Sequence, residues 1–367
     1  MDKKTGKLQS LLNAQVGKGG VRNIVTAVQS YDKRFDFVGA AGVANPSTEP
    51  GEVDKATNDK PMNPETPYFI ASVTKMYTAA IAMQLHSEKK LDLEAPIGSF
   101  LPSSLIDGIH VYKGIDYSRQ IKIYQLVNQT SGLADYEMDK PRGGKSLFEE
   151  LKAGHDRSVD TAEAIRITRT LSPRFPPGTP GRAYYSNLNY RLLGEIIQAV
   201  TEKPMAVNFE ERVCAPLGLK RTYLYDWTKP RPGEQPATIF LNDAPVSVLK
   251  YLSSNVSDGG LVSTASECML FLRAFMEGKL FDKGLLRRMM MWNRIFFPLR
   301  YGYGLMCFQL PRYFWITPLP GFIGHSGSTG SFAFACPSRS LYLTGTLNVI
   351  APTRPFMFML DLVRAVS

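Results

Sequence analysis

The sequence predicts an α+β fold in which both chain ends build one antiparallel sheet, helices flank it, and a mainly helical unit is inserted between the two halves. Three observations carry this expectation. Strand-like runs cluster near the start and the end of the 367 residues. Segments with apolar residues at helical spacing fill the middle. At Ser72 an apolar strand-like run passes directly into an amphipathic helix. The expected division is a sheet domain from residues 1–75 and 245–367 and a helical domain from 76–244, with a functional cleft at their junction.

Residues 7–16 read as a short helix with Leu8, Leu11, Leu12 and Val16 on one side. Residues 21–28 and 35–43 read as strands across a turn at 31–34. Residues 45–63, rich in Pro, Asp, Asn, Thr and Gly, read as loop. Residues 68–71 are apolar, and in 76–86 Tyr77, Ile81 and Leu85 recur at helical spacing. Ser72 therefore falls in the first turn of a helix, with Lys75 one turn later on the same face.

A short helix at 121–127 leads into the loop 128–133, and 137–160 is polar and reads as a surface segment. Helices follow at 161–171, 188–200 and 209–214, the first ended by the Pro- and Gly-rich cluster at 172–181. Residues 228–237 read as Pro-rich loop. Residues 259–263 are strand or turn, and a helix capped by Ser263 or Thr264 runs to about 277. Strands at 303–309, 331–336 and 341–348 are separated by turns within 310–324 and at 337–339. A helix at 354–366 ends the chain.

Apolar residues make up 44% and charged residues 21%, which is globular rather than disordered composition. The formal net charge is +10, but the basic residues form no long run or stripe, so no nucleic-acid partner is expected. Cys214, Cys268, Cys307 and Cys336 make no Cys-x-x-Cys pair, and mostly apolar neighbours predict buried free thiols. There is no His-Glu-x-x-His or other metal-ligand spacing, so neither metal nor cofactor is expected. No apolar run follows the charged residues 1–7, and no stretch is apolar enough to span a bilayer. If this is the native start, the expected location is cytoplasmic with no membrane partner. Oligomeric state is not legible.

Ser-x-x-Lys occurs four times, at Ser30, Ser72, Ser87 and Ser247, and only Ser72 joins an apolar strand-like run to an amphipathic helix. A serine hydroxyl needs a base beside it to act as a nucleophile. A lysine serves once burial disfavours its ammonium form. By itself the motif reads equally well as a helix cap. Tyr185 alone reads as packing beside Tyr184, Asn187 as an N-cap, and His325 as a turn histidine. Residues 324–328 approach the Gly-x-Ser-x-Gly nucleophile elbow of α/β-hydrolases. The fifth position is Ser328, however, and no histidine follows Ser326.

Taken together, Ser72–Lys75, Tyr185-Ser186-Asn187 and His325-Ser326-Gly327, in that order, resemble the three motifs of the serine β-lactamase and penicillin-binding-protein superfamily. The likeness is to the branch of class C β-lactamases, D-alanyl-D-amino-acid peptidases and β-lactamase-like carboxylesterases. Flanking stretches at 129–133, 175–178, 216–219, 259–265 and 324–330 fit as well, and the resemblance runs from about residue 21 to the end. It implies the β-lactamase/transpeptidase-like fold and an acyl-enzyme on Ser72. Lys75 or Tyr185 would be the base, the Tyr185 phenol being lowered in pKa beside a charged Lys75. Asn187 would bind a substrate carbonyl or orient Lys75. The N–H groups of Ser72 and Ser328 would form an oxyanion hole. Ser326 and the bare Gly327 would line a strand edge open to substrate. His325 stands where β-lactamases and transpeptidases usually have Lys, so a permanent cation for a substrate carboxylate is missing. The first expectation is therefore a carboxylesterase acting on small esters. D-amino-acid peptidase or amidase, or class C-like β-lactamase, comes second. A non-catalytic ligand-binding member of the fold is the alternative of another class.

Overall fold

The computed structural model describes residues 3–46, 59–310, 319–351 and 353–366. Its centre is a nine-stranded sheet in the order Asn293–Phe296, Leu299–Tyr301, Met306–Phe308, Phe322–Ser326, Ser331–Cys336, Leu341–Thr346, Asn23–Ser30, Asp36–Asn45, Lys60–Pro61. All neighbours are antiparallel. The two chain ends meet inside it, with Val25 opposite Thr346 and Ser30 opposite Leu341.

The alternation of side chains along a strand explains how helices cover both faces. On Ser331–Cys336, Phe332 and Phe334 face the helix Arg354–Val366, with ring centroids 6.0 Å from Phe358 and 5.6 Å from Phe356. Ala333 and Ala335 are their intervening neighbours. Ala333 sits opposite Thr344, whose Oγ1 donates to the Ala265 carbonyl at 2.8 Å. The helix Ala265–Met276 therefore lies over this second face, where small residues leave it room. It is capped by Thr264, whose side chain accepts from the Glu267 N–H. The helix Lys3–Gln15 buries Leu8 and Leu12 against Asp36–Asn45 and Arg354–Val366. Each buried leucine or phenylalanine here contributes roughly 1.5–3 kcal/mol.

A three-stranded sheet of Tyr68–Phe69, Leu261–Ser263 and Tyr223–Leu224 stands beside the large one. The helices Thr74–Ser87 and Asn187–Thr201 pack on each other next to it. Among the described residues no helix is long and apolar enough to cross a membrane.

Several expectations are corrected. The strands Asn293–Phe296 and Leu299–Tyr301 were not foreseen. They form the outer edge and are too short to show a long alternation, although Leu299 and Tyr301 are buried. Phe322–Ser326 agrees with the strand edge that the resemblance implied at His325 and Ser326, and it also takes in residues 322–324, which were read as turn. Of the predicted loop 45–63, residues 47–58 lie outside the described residues, while Lys60–Pro61 pairs with Asp36–Asn45. Of the predicted turn region 310–324, residues 311–318 lie outside the described residues. The helix expected at 209–214 starts earlier, at Met205–Phe209, widens into a π turn at Glu210–Cys214, and stops after Ala215–Leu217 at left-handed Gly218. Residues 137–160 are not all surface: Leu147–Lys152 is a helix that buries Leu147 and Leu151. All four cysteines are buried free thiols.

Candidate active site

Ser72 is held on a short, clamped turn. The Ile70 N–H donates to the Leu261 carbonyl at 3.0 Å, which fixes the chain to the small sheet. Ala71 then takes a left-handed conformation, φ 44°, and the 3₁₀ turn Ala71–Val73 leads into the helix Thr74–Ser87. A left-handed alanine costs of order 1–3 kcal/mol and persists only where its surroundings force it. Here Ser331 Oγ donates to the Ile70 carbonyl at 2.7 Å and Thr329 Oγ1 to the Phe69 carbonyl at 2.9 Å. Gly327 closes the clamp. A Cβ there would lie 2.7 Å from the Ile70 carbonyl oxygen and 2.8 Å from Ala71 Cβ. Its missing side chain thus faces the nucleophile turn rather than a substrate, which corrects the sequence expectation.

Lys75 is fully buried in the first turn of that helix. Its Nζ lies 3.1 Å from Ser72 Oγ and donates to Asn187 Oδ1 and to the Asp258 carbonyl, each at 2.7 Å. Burial pushes its pKa below the ordinary lysine value, against the pull of the Asp258, Glu137 and Asp135 carboxylates. The Tyr185 phenol lies near enough to the Ser72 hydroxyl for that group to favour its ionised form. Its ring centroid is 5.2 Å from Lys75 Nζ and 5.8 Å from that of Tyr301. Part of the ring remains exposed, yet desolvation of the phenol, then Tyr301, pushes its pKa well above the ordinary value. The lowered phenol expected from the Lys75 charge is not found, because loss of hydration outweighs that attraction.

The 129–137 loop holds the second motif. Tyr184 N–H donates to the Gln129 carbonyl, Ser186 N–H to Gln129 Oε1 (both 2.9 Å), and Ser186 Oγ to the Ala134 carbonyl at 2.9 Å. Asn187 starts the helix Asn187–Thr201. Its Nδ2 donates to Glu137 Oε2 at 2.8 Å and to Asp135 Oδ1 and Oδ2 at 3.3 and 3.4 Å. Its backbone N–H also reaches Asp135 Oδ1 at 3.2 Å.

His325 is fully buried on Phe322–Ser326. Nδ1–H donates to the Ser326 carbonyl at 2.7 Å, so Nε2 accepts from the Tyr301 hydroxyl at 3.1 Å. Burial, then the Lys75 charge, push its pKa down to about 3. The imidazole is therefore neutral, not partly charged as its ordinary value implies. Ser326 is partly exposed with Oγ 3.6 Å from Met306 Sδ, and Ser328 is exposed at the turn beyond Gly327.

Sequence reasoning missed Asp135, Glu137, Asp258, Arg191 and Tyr301. Arg191 Nε and Asp258 Oδ1 form an ion pair at 3.0 Å, both about 1% exposed, and Tyr136 donates to Asp258 Oδ2 at 2.9 Å. The Asp135-Tyr136-Glu137 run is separated by one residue from the flanking stretch 129–133, and Asp258 directly precedes 259–265. That adjacency was the available signal.

A family model described as Beta-lactamase matches residues 16–366. The chain belongs to this β-lactamase-related family of serine hydrolases. Among solved structures it is similar to a D-stereospecific amidohydrolase from Streptomyces sp., with 25% identity, a TM-score of 0.71 and 94% of each chain covered. It is also similar to EstCE1, a hydrolase with promiscuous acyltransferase activity, at 19% identity and a TM-score of 0.78, covering 99% of this chain and 98% of that one. A teichoic acid D-alanine hydrolase of Staphylococcus aureus is 26% identical over 227 residues, which is 60% of this chain and 48% of that protein. The chain thus spans about half the length of the curated relatives it matches.

Proposed function

We propose that the protein hydrolyses small esters through an acyl-enzyme on Ser72. The observation that carries this is the buried Lys75 Nζ, 3.1 Å from Ser72 Oγ, with its ammonium form disfavoured by burial. In this reading Lys75 takes the proton as Ser72 attacks the carbonyl. As the bond to the leaving group breaks, Tyr185 passes its proton to that group and takes up the one held by Lys75, so the phenol ends neutral. The N–H groups of Ser72 and Ser328 receive the oxyanion, a contribution of roughly 3 kcal/mol per donor in characterised hydrolases. A neutral His325 offers no cation to a substrate carboxylate, and two carboxylates stand nearby. That argues for a neutral or cationic substrate over a β-lactam.

Treatment with a fluorophosphonate, followed by intact-mass measurement and peptide mapping, tests the reading. A single adduct on Ser72, absent in Ser72→Ala, is expected. A folded protein that takes no adduct overturns it in favour of a binding role.

A second reading, hydrolysis of D-aminoacyl amides or esters, draws on the activities of the Streptomyces amidohydrolase and the teichoic acid D-alanine hydrolase. The partly exposed Glu137 carboxylate suits a substrate ammonium. Faster turnover of a D-alanyl ester than of its L-isomer and its N-acetylated form would favour this reading.

A further inference from the structure

Asn187 lies between Lys75 and two carboxylates, and its amide can sit there only one way round. Lys75 Nζ donates on one side, and an ionised Glu137, 2.8 Å away on the other, can only accept, so the edge facing Asp135 and Glu137 is the NH₂. The oxygen is thereby left for Lys75, at 2.7 Å. Both hydrogens of that NH₂ are engaged by carboxylate oxygens at 2.8–3.4 Å, so the amide is not free to hold a substrate carbonyl. We propose that Asp135 and Glu137 are positioning residues for the Ser72–Lys75 pair: they aim the Asn187 oxygen at Lys75, and their joint charge governs whether Lys75 can serve as a base. This rests on the acyl-enzyme reading above.

Besides its own helix, Lys75 faces the Asp135 and Glu137 carboxyls of the 129–137 loop, the Tyr185 ring at 5.2 Å, and groups on three further elements. From the Asn187–Thr201 helix come the Asn187 oxygen, the Tyr190 ring at 5.8 Å and the Arg191 charge. From the segment before Leu261–Ser263 come the Asp258 carbonyl and carboxylate. From the third-motif strand comes the neutral His325. Asp258 is already neutralised by Arg191 at 3.0 Å. The Asp135–Glu137 pair has no such cation, apart from Lys75 itself, among the groups that touch Asn187. Two carboxylates on one amide resist being charged together. Burial, then the Glu137 charge, push Asp135 up to about 8, and burial pushes Glu137 up as well. Each carboxyl therefore holds its proton to a higher pH than an exposed one does, and the pair gains negative charge as the pH rises.

The test follows the rate of Ser72 phosphonylation against pH in the whole protein, which needs no substrate. Glu137→Gln keeps an acceptor for the Asn187 NH₂ and removes the charge. It should move the acid limb of the profile down by about one pH unit, the scale of one nearby charge, and leave the plateau rate within about tenfold. Glu137→Ala removes the acceptor too, and its plateau should fall further than that of Glu137→Gln. Asp135 holds its proton up to about 8, so Asp135→Asn should shift the limb in the same direction but by less than Glu137→Gln does. If Asp135→Asn does not fold, the partly exposed Glu137 carries the comparison. A wild-type protein labelled on Ser72, with limbs unmoved in both Glu137→Gln and Asp135→Asn, overturns the proposal and leaves the hydrolase reading standing. A wild-type protein that takes no label overturns both.

Discussion

At the scale of single residues, the tightest constraint is the space behind Ser72. Gly327→Ala would drive a methyl into Ile70, Ala71 and Ser331, where the nearest atom stands at 2.3 Å. We expect a stability loss of about 1–3 kcal/mol, as for other overpacked sites. Slower phosphonylation of Ser72 should accompany it, and denaturant unfolding together with labelling rate checks both. Tyr185→Phe should cut turnover by roughly 10²–10⁴-fold if the phenol delivers the leaving-group proton, and steady-state kinetics on an aryl ester reads this directly. Ser72, Lys75, Tyr185 and Asn187 were legible because each sits in a short local pattern, and the structure brings all four together. Asp135 and Glu137 were not. Their place is set by Asn187, 52 and 50 residues further along, and a polar run gives no sign that its carboxylates turn inward.

Among elements, the helix Asn187–Thr201 is tied to the loop behind Lys75 by one buried ion pair. Arg191→Met would leave the Asp258 carboxylate without its partner in a nearly dry site. Removing one member of such a pair costs about 3–5 kcal/mol, and a drop of that size in unfolding free energy is expected. A smaller effect, about 1 kcal/mol, is expected of Thr264→Ala, which deletes the cap of Ala265–Met276. The long amphipathic helices could be read from periodicity because packing on a core imposes it, and the central strands Ser331–Cys336 and Leu341–Thr346, buried on both faces, as short apolar runs bounded by turn residues. The edge hairpin Asn293–Tyr301 could not, since its strands are too short to show a pattern and the burial of Leu299 and Tyr301 depends on neighbours elsewhere in the chain. Phe322–Ser326 was legible only through the resemblance of its last two residues, and its pairing partners make the rest a strand.

For the molecule as a whole, two buried groups set opposite slopes of stability against pH. His325 binds its proton less readily folded, at about 3, than at the ordinary 6.5. The unfolded chain therefore binds more protons in that window, and stability falls as the pH drops through it. Asp135 runs the other way, at about 8 against an ordinary 3.8. The folded state holds the extra proton there, so stability falls as the pH rises from about 4 to 8. Thermal midpoints between pH 4 and 9 should show His325→Gln flattening the acid side and Asp135→Asn the alkaline side. An unchanged curve in either variant would rule out that group as the source.

The sheet that joins the two chain ends also fixes when the serine becomes dangerous. Thr26 bonds to Thr344 across 318 residues, and the Ser331 hydroxyl that clamps Ile70 comes 261 residues after it. A ribosome thus makes the nucleophile long before its clamp. Until residue 331 emerges, the nascent chain carries Ser72 and Lys75 with nothing to hold their turn, and the proposed chemistry waits on that later segment.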